Sequence, residues 1–206
     1  MLDAFLKGGP VMYPILLCSI ISLAVVIERM IVLHRRNTDP DELVEDVKYA
    51  VEQGRIIEGV QIAKRSRSPL SSLIIVALTN IGKPRSEVEE AVQIAGNAEI
   101  RRLEKNMQLL GLIITVSPLL GLLGTVTGII QSFNVLGLTA GVTDPAVLSI
   151  GIAEALITTA AGLTVAIPTQ VMYTYFYGLI ERHIAIMNGK SLEIVAMATS
   201  SRSDAA

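Results

Sequence analysis

A lone carboxylate is the residue best placed to do chemistry. Glu154 lies within residues 107–180, where the only other charge is Asp144, whereas residues 28–106 carry 26 charges. From Ala155 to Ile180 no charge occurs, so Glu154 stands near one end of a long apolar run. A charged carboxylate inside such a run costs about 2.5–3.5 kcal/mol on insertion scales. An apolar setting disfavours the ionised form of any carboxyl, and a carboxyl that water or a partner can reach is then able to exchange a proton. Glu154 is therefore a proton-site candidate. Two plainer accounts stay open: solvation at the interfacial end of a helix, or a packing hydrogen bond to a neighbour.

Two hydroxyls follow closely, at Thr158 and Thr159. On an ideal helix, at about 100° per residue, Glu154, Thr158, Ala161, Val165 and Met172 share one face, while Thr159 lies about 140° from Glu154. This places Glu154 and Thr158 on a common surface. Hydroxyls in an aliphatic helix either bond their own backbone or hold waters in a conducting path, and on spacing alone the first account is the stronger.

Other chemistries find no support. The 17 Lys+Arg against 19 Asp+Glu give a net charge of −2 without a long basic run, which excludes a generally basic nucleic-acid binder. There is no GxxxxGK[ST] phosphate loop and no HExxH pair, and the two histidines, His34 and His183, flank the apolar runs. The single Cys18 excludes an internal disulfide and a cysteine-clustered zinc site, and reads as a packed or lipid-facing thiol. No metal, no cofactor and no enzymatic reaction is expected.

The elements that must position Glu154 follow from the same uneven charge. The chain is 51% apolar and 17% charged, with a mean hydropathy of +0.55, which fits a membrane protein with a charged soluble portion. The uncharged stretch Gly8–Ile27 spans roughly 30 Å as a helix, the thickness of the hydrocarbon core. It is too long and too poor in flanking basic residues for a signal peptide, and bulky Leu17 before Cys18 argues against a lipoprotein signal. A second uncharged run, Asn106–Thr143, ends in turn residues before Asp144-Pro145. A third begins near Ser149. The expected order is an outer N-terminus at 1–10, transmembrane helices at 11–33, 109–133 and 149–180, an inner helical region at 34–108, a short outer loop at 134–148 and an inner tail at 181–206. Lys and Arg set this orientation, since Arg35, Arg36, Arg101, Arg102, Lys105, Arg182 and Lys190 all fall on the inner side and only Lys7 dissents.

The inner region reads as helices. Leu43, Val44, Val47, Ala50 and Val51 recur at helical spacing after Pro40, and Ser68-Pro69 marks another start. Ser86 followed by Glu89 has the form of a capping box. Without an intervening proline before Pro118, the second membrane helix is expected to run unbroken from Ser86 to Phe133. The third is expected to continue inward past Ile180. The fold class is thus all-α, an integral membrane protein of three transmembrane helices with long cytoplasmic helical extensions.

Small residues punctuate the second and third spans. Ser117, Gly121 and Thr125 recur every fourth residue, Gly124 and Gly128 form a GxxxG pair, and Thr158, Gly162 and Ala166 repeat the spacing. Such surfaces suit close helix packing in a bundle or oligomer.

The segments LLGLLGTVTGIIQSF (119–133) and IAEALITTAAGLTVAIPTQVMYTYF (152–176) together resemble the second and third transmembrane helices of the ExbB/TolQ/MotA proton-channel family, with ExbB the nearest in layout. Gly121, Gly124 and Thr125 carry the likeness on one helix; Glu154-Ala155-Leu156, Thr159, Gly162-Leu163 and Ala166-Ile167-Pro168 carry it on the other. The resemblance implies an inner-membrane motor subunit, multi-pass, that forms a homo-oligomer, a pentamer, in membrane lipid. Its pore would enclose single-span ExbD-like helices bearing a transmembrane Asp, and work would pass to a TonB-like protein that energises outer-membrane transport. It also implies that Glu154, Thr125 and Thr159 face the pore; Thr158 joins them from the helix face it shares with Glu154, and Gly121, Gly124, Gly128, Gly162 and Pro168 are read as helix-packing positions. One departure is Tyr173-Thr174, where the family often has tyrosine-asparagine. Three spans argue against a four-span MotA-type stator. A TolQ-type subunit for envelope maintenance and cell division, or a non-conducting scaffold, remain the alternatives.

Overall fold

In a computed structural model of the chain, residues 8–34, 39–66, 68–138 and 145–200 are described. Among the described residues seven helices follow in order: α1 (Met12–His34), α2 (Pro40–Glu52), α3 (Ile56–Arg65), α4 (Leu70–Thr79), α5 (Arg85–Leu103), α6 (Met107–Leu138) and α7 (Pro145–Ser200). The fold is all-α, with no strand among the described residues. The windows apolar enough to cross a membrane lie within Met12–Leu33, Arg85–Leu136 and Gly151–Thr199. The Lys7, Arg35 and Arg36 charges and residues 139–144 of the expected outer loop lie outside the described residues.

The contacts separate into two compact units. One comprises Met1–Glu28 and Asn106–Tyr175; the other comprises Arg29–Lys105 and Phe176–Ala206.

In the second unit, apolar side chains at helical spacing build an ordinary aliphatic core. Asp39 caps α2 by accepting from the Asp41 N–H at 2.9 Å, and Pro40 occupies the first turn, where its missing N–H is harmless. The face Leu43, Val44, Val47, Ala50 and Val51 is buried as its spacing predicts. Leu70, Leu73, Ile74, Ala77 and Leu78 of α4, Val88 and Val92 of α5, and Met187, Ile194 and Val195 of α7 are among the other buried residues of this unit. Gly59 lets α3 approach closely: a Cβ there would stand 3.3 Å from Leu78 Cδ1 and 3.6 Å from Val47. Beyond the apolar run that ends at Ile180, Lys190 bridges Asp41 at 2.7 Å and Glu193 at 3.1 Å. Those bonds, Asp41's first, hold its ammonium above the ordinary value of 10.5. Arg29 is 2% exposed, and its guanidinium donates to Leu103 O at the C-terminal end of α5.

Three expectations are corrected here. The helix from Ser86 to Phe133 is not continuous: α5 stops at Leu103 and α6 begins at Met107, because Asn106 takes φ 62°. Asparagine is one of the few non-glycine residues that tolerates this left-handed conformation. In the first unit its amide then donates to Glu28 Oε2 at 2.6 Å. The capping box is not formed either, since α5 starts at Arg85, which puts Ser86 inside the helix, and Arg85 instead pairs with Glu89 at 2.8 Å. Finally, α6 runs to Leu138 and α7 already begins at Pro145, so both ends of the expected loop 134–148 are helical. Asn134 is compatible with helix, and Pro145 suits a first helical turn.

Candidate functional site

The first unit is built on the crossing of α6 and α7, and glycine sets how closely they approach. A Cβ on Gly121 would lie 2.9 Å from Thr159 Cα and 3.1 Å from Thr158 O. One on Gly124 would lie 2.5 Å from Thr158 Oγ1 and 2.6 Å from its Cβ, and one on Gly128 would lie 2.9 Å from Ala155 Cβ. Across the crossing, a Cβ on Gly162 would collide with Ser117 O, and one on Gly151 with Ser132 Oγ. The contacts pair rising numbers on α6 with falling numbers on α7, as antiparallel neighbours require. The glycines singled out from spacing thus lie at the crossing, Gly121, Gly128 and Gly162 close to the backbone of the facing helix and Gly124 against the Thr158 side chain. Pro168 lies inside α7, on its exposed side.

The hydroxyls separate into three kinds. Thr125 is half-buried and donates to Leu122 O, in its own helix, at 2.6 Å. Thr159 donates across the crossing to Gly121 O at 2.9 Å, which ties the register of α7 to that of α6. Thr158 is 1% exposed, wedged against Gly124, and its hydroxyl bonds Glu154 O at 3.1 Å and Ala155 O at 2.8 Å. The expectation that Thr158 lines a surface together with Glu154 is therefore corrected. Its ideal-helix position is right, but that edge of α7 is the one covered by α6. Ser117, fully buried, has no hydrogen-bond partner for its hydroxyl among the described residues.

Glu154 is half-buried on α7. Its carboxyl does not turn toward α6; Oε1 instead reaches Gly9, in the turn that precedes α1, occupying the space a Cβ there would need. No sequence spacing reveals this approach, although Gly8-Gly9-Pro10 is a turn signal. α1 is joined to α7 a second time by Ser22 and Thr169, whose buried hydroxyls lie 2.6 Å apart. The arrangement is a membrane-helix bundle holding one carboxyl at its edge, with a hydroxyl-bearing crossing beside it.

Residues 63–189 match the MotA/TolQ/ExbB proton channel family. The chain belongs to this family. It is 39% identical over 170 residues to the ExbB-like 1 biopolymer transport protein of Synechocystis sp., covering 81% of this chain and 66% of that one. It is 34% identical over 184 residues to an ExbB homolog of Methanothermobacter thermautotrophicus, covering 89% of this chain and 65% of that one. With the Tol-Pal system protein TolQ of Haemophilus influenzae it shares 29% identity over 187 residues, covering 84% and 82%. The chain thus spans just under two thirds of the length of the first two relatives.

Proposed function

We propose that this chain is the proton-channel subunit of an ExbB-type motor in the inner membrane, with Glu154 as its proton-exchanging group. The observation that carries the reading is the placement of Glu154. It is the one carboxyl of α7 before Glu181, it is half-buried, and among the described residues its carboxylate has no hydrogen bond or ion pair. A charge kept there without a partner would be costly, whereas a carboxyl completed by a partner helix bearing an Asp could pass a proton.

Thr159 and Thr125 would serve from the two sides of the crossing, Thr159 by fixing the register of α7 and Thr125 from its half-exposed position. The large apolar surface left uncovered on α6 and α7, including Leu119, Leu122, Val126, Ile167 and Val171, suits a homo-oligomer, a pentamer in this reading, around ExbD-like helices, with lipid outside and a TonB-like protein as the receiver of work. The N-terminus would lie outside and the charged helices inside. The names of the relatives divide between ExbB and TolQ, so TolQ-type envelope work is the second reading.

The test is Glu154→Gln in cells. Loss of proton-motive-force-dependent uptake with the oligomer still assembled supports the reading. Full uptake would remove Glu154 from the mechanism, and a disassembled oligomer would make it a packing residue. Loss of envelope integrity with uptake intact would select the TolQ reading, and copurification of a single-span Asp-bearing partner would support either.

A further inference from the structure

We infer that Gly9 is a positioning residue for Glu154: its bare backbone forms one wall of the carboxyl's seat, so that the turn before α1 fixes where the proton-exchanging group points. The inference rests on the reading of Glu154 as that group.

Two independent observations bear on glycine at this position: its backbone favours glycine, and a side chain there would move the Glu154 carboxyl. The first is conformational. Gly9 has φ +67°, a region that L side chains rarely adopt. The second is steric. The space a Cβ would fill is taken by Glu154 Oε1, with Glu154 Cδ also only 3.5 Å from that point. Conformation alone does not produce the second, since Gly54 and Gly82 also have positive φ, +72° and +91°, and nothing lies within 4 Å of a Cβ built on either.

The turn is itself anchored. Gly9 O accepts from the Met12 N–H at 3.2 Å and Pro10 O from the Tyr13 N–H at 3.3 Å, so the wall is continuous with the first turn of α1. Ser22 and Thr169 then join α1 to α7 further along. Gly9 thus belongs to the element that is bonded to the same helix that carries Glu154. A carboxyl limited on one side by backbone cannot sweep through all its rotamers. Its Oε1 is held against the turn, and the rotamers that would sweep through Gly9 are closed to it.

The experiment measures the reaction of Glu154 with a hydrophobic carbodiimide in native membranes holding the whole complex, by mass spectrometry of the modified peptide, with Glu154→Gln as the blank. In Gly9→Ala the new methyl displaces the carboxyl from its seat, and the labelling rate is expected to rise several-fold. Gly54→Ala supplies the same backbone strain where space is open, and is expected to label as the native chain does. Glu154→Asp, shorter by one methylene, makes room for the methyl, so the Gly9→Ala/Glu154→Asp pair is expected to label at the rate of Glu154→Asp alone.

Unchanged labelling in Gly9→Ala, equal effects of Gly9→Ala and Gly54→Ala, or a double variant that is not restored would each overturn the inference. Should Gly9→Ala not accumulate, accumulation becomes the readout. Glu154→Asp or Glu154→Ala in the same chain is expected to restore it, and failure to do so is again contrary. Full uptake by Glu154→Gln would defeat the proton-site reading and leave the labelling result standing, so the two failures are distinguishable.

Discussion

Around Glu154, helices meet mainly through glycine; in the α2–α5 bundle, Gly59 aside, they meet through larger aliphatic side chains. The difference follows from the solvent each region is suited to. In water, removing aliphatic side chains from solvent is itself the driving force, so a helix gains by presenting large residues. In lipid the surroundings are as apolar as the side chain, and association depends on close approach and on hydrogen bonds between helices. Gly121, Gly124, Gly128 and Gly162, with the Thr159 bond to Gly121 O, supply both. The two units therefore respond to opposite errors: one to lost volume, the other to added volume.

Truncation in the aliphatic unit has the largest expected effect. Ile74 is 0% exposed, and Ile74→Ala should destabilise by about 2–5 kcal/mol through the cavity it leaves, read as a lowered denaturation midpoint of the purified chain. A neutral result would break the comparison.

The opposite error is next in size. Gly124→Ala drives a methyl into the stiff, β-branched Thr158, and should cost about 1–3 kcal/mol by overpacking. Gly96 in α5 has nothing within 4 Å of a Cβ, so Gly96→Ala should instead stabilise by about 0.5–1 kcal/mol. Melting curves of the two variants sharpen the comparison if they move in opposite directions.

The smallest effect belongs to the exposed edge of the aliphatic unit. Lys190→Gln removes the bonds to Asp41 and Glu193. Because the folded-state value is raised above 10.5, the contribution of the pair is full below that pH and is lost as pH rises past the folded value. The melting difference between variant and native chain should accordingly be small and constant below pH 10.5, shrink above it, and shrink with added salt.

The helices and their apolar runs were legible because charge is so unevenly placed: two charged residues in 107–180 against 26 in 28–106. The buried face of α2 was legible because a 3.6-residue period directly encodes one side of a helix. The break before α6 was not, because it rests on a single asparagine in the left-handed region, with neither glycine nor proline to mark it. Thr158 was placed correctly on its helix and wrongly in its surroundings, since angular position does not say which neighbour covers that angle. The approach of Gly9 to Glu154 joins residues far apart in sequence, and only the folded bundle brings them together.

The hydroxyl pair between α1 and α7 has a direction. Thr169 already donates its proton to Val165 O at 2.7 Å, so in the 2.6 Å contact Ser22 is the donor and Thr169 the acceptor. The neighbouring positions, Ile21 and Leu23, carry no donor. α1 is therefore keyed about its own long axis: a turn by one residue leaves the acceptor facing a hydrocarbon side chain. One hydroxyl pair thus selects the face of the first helix that meets α7.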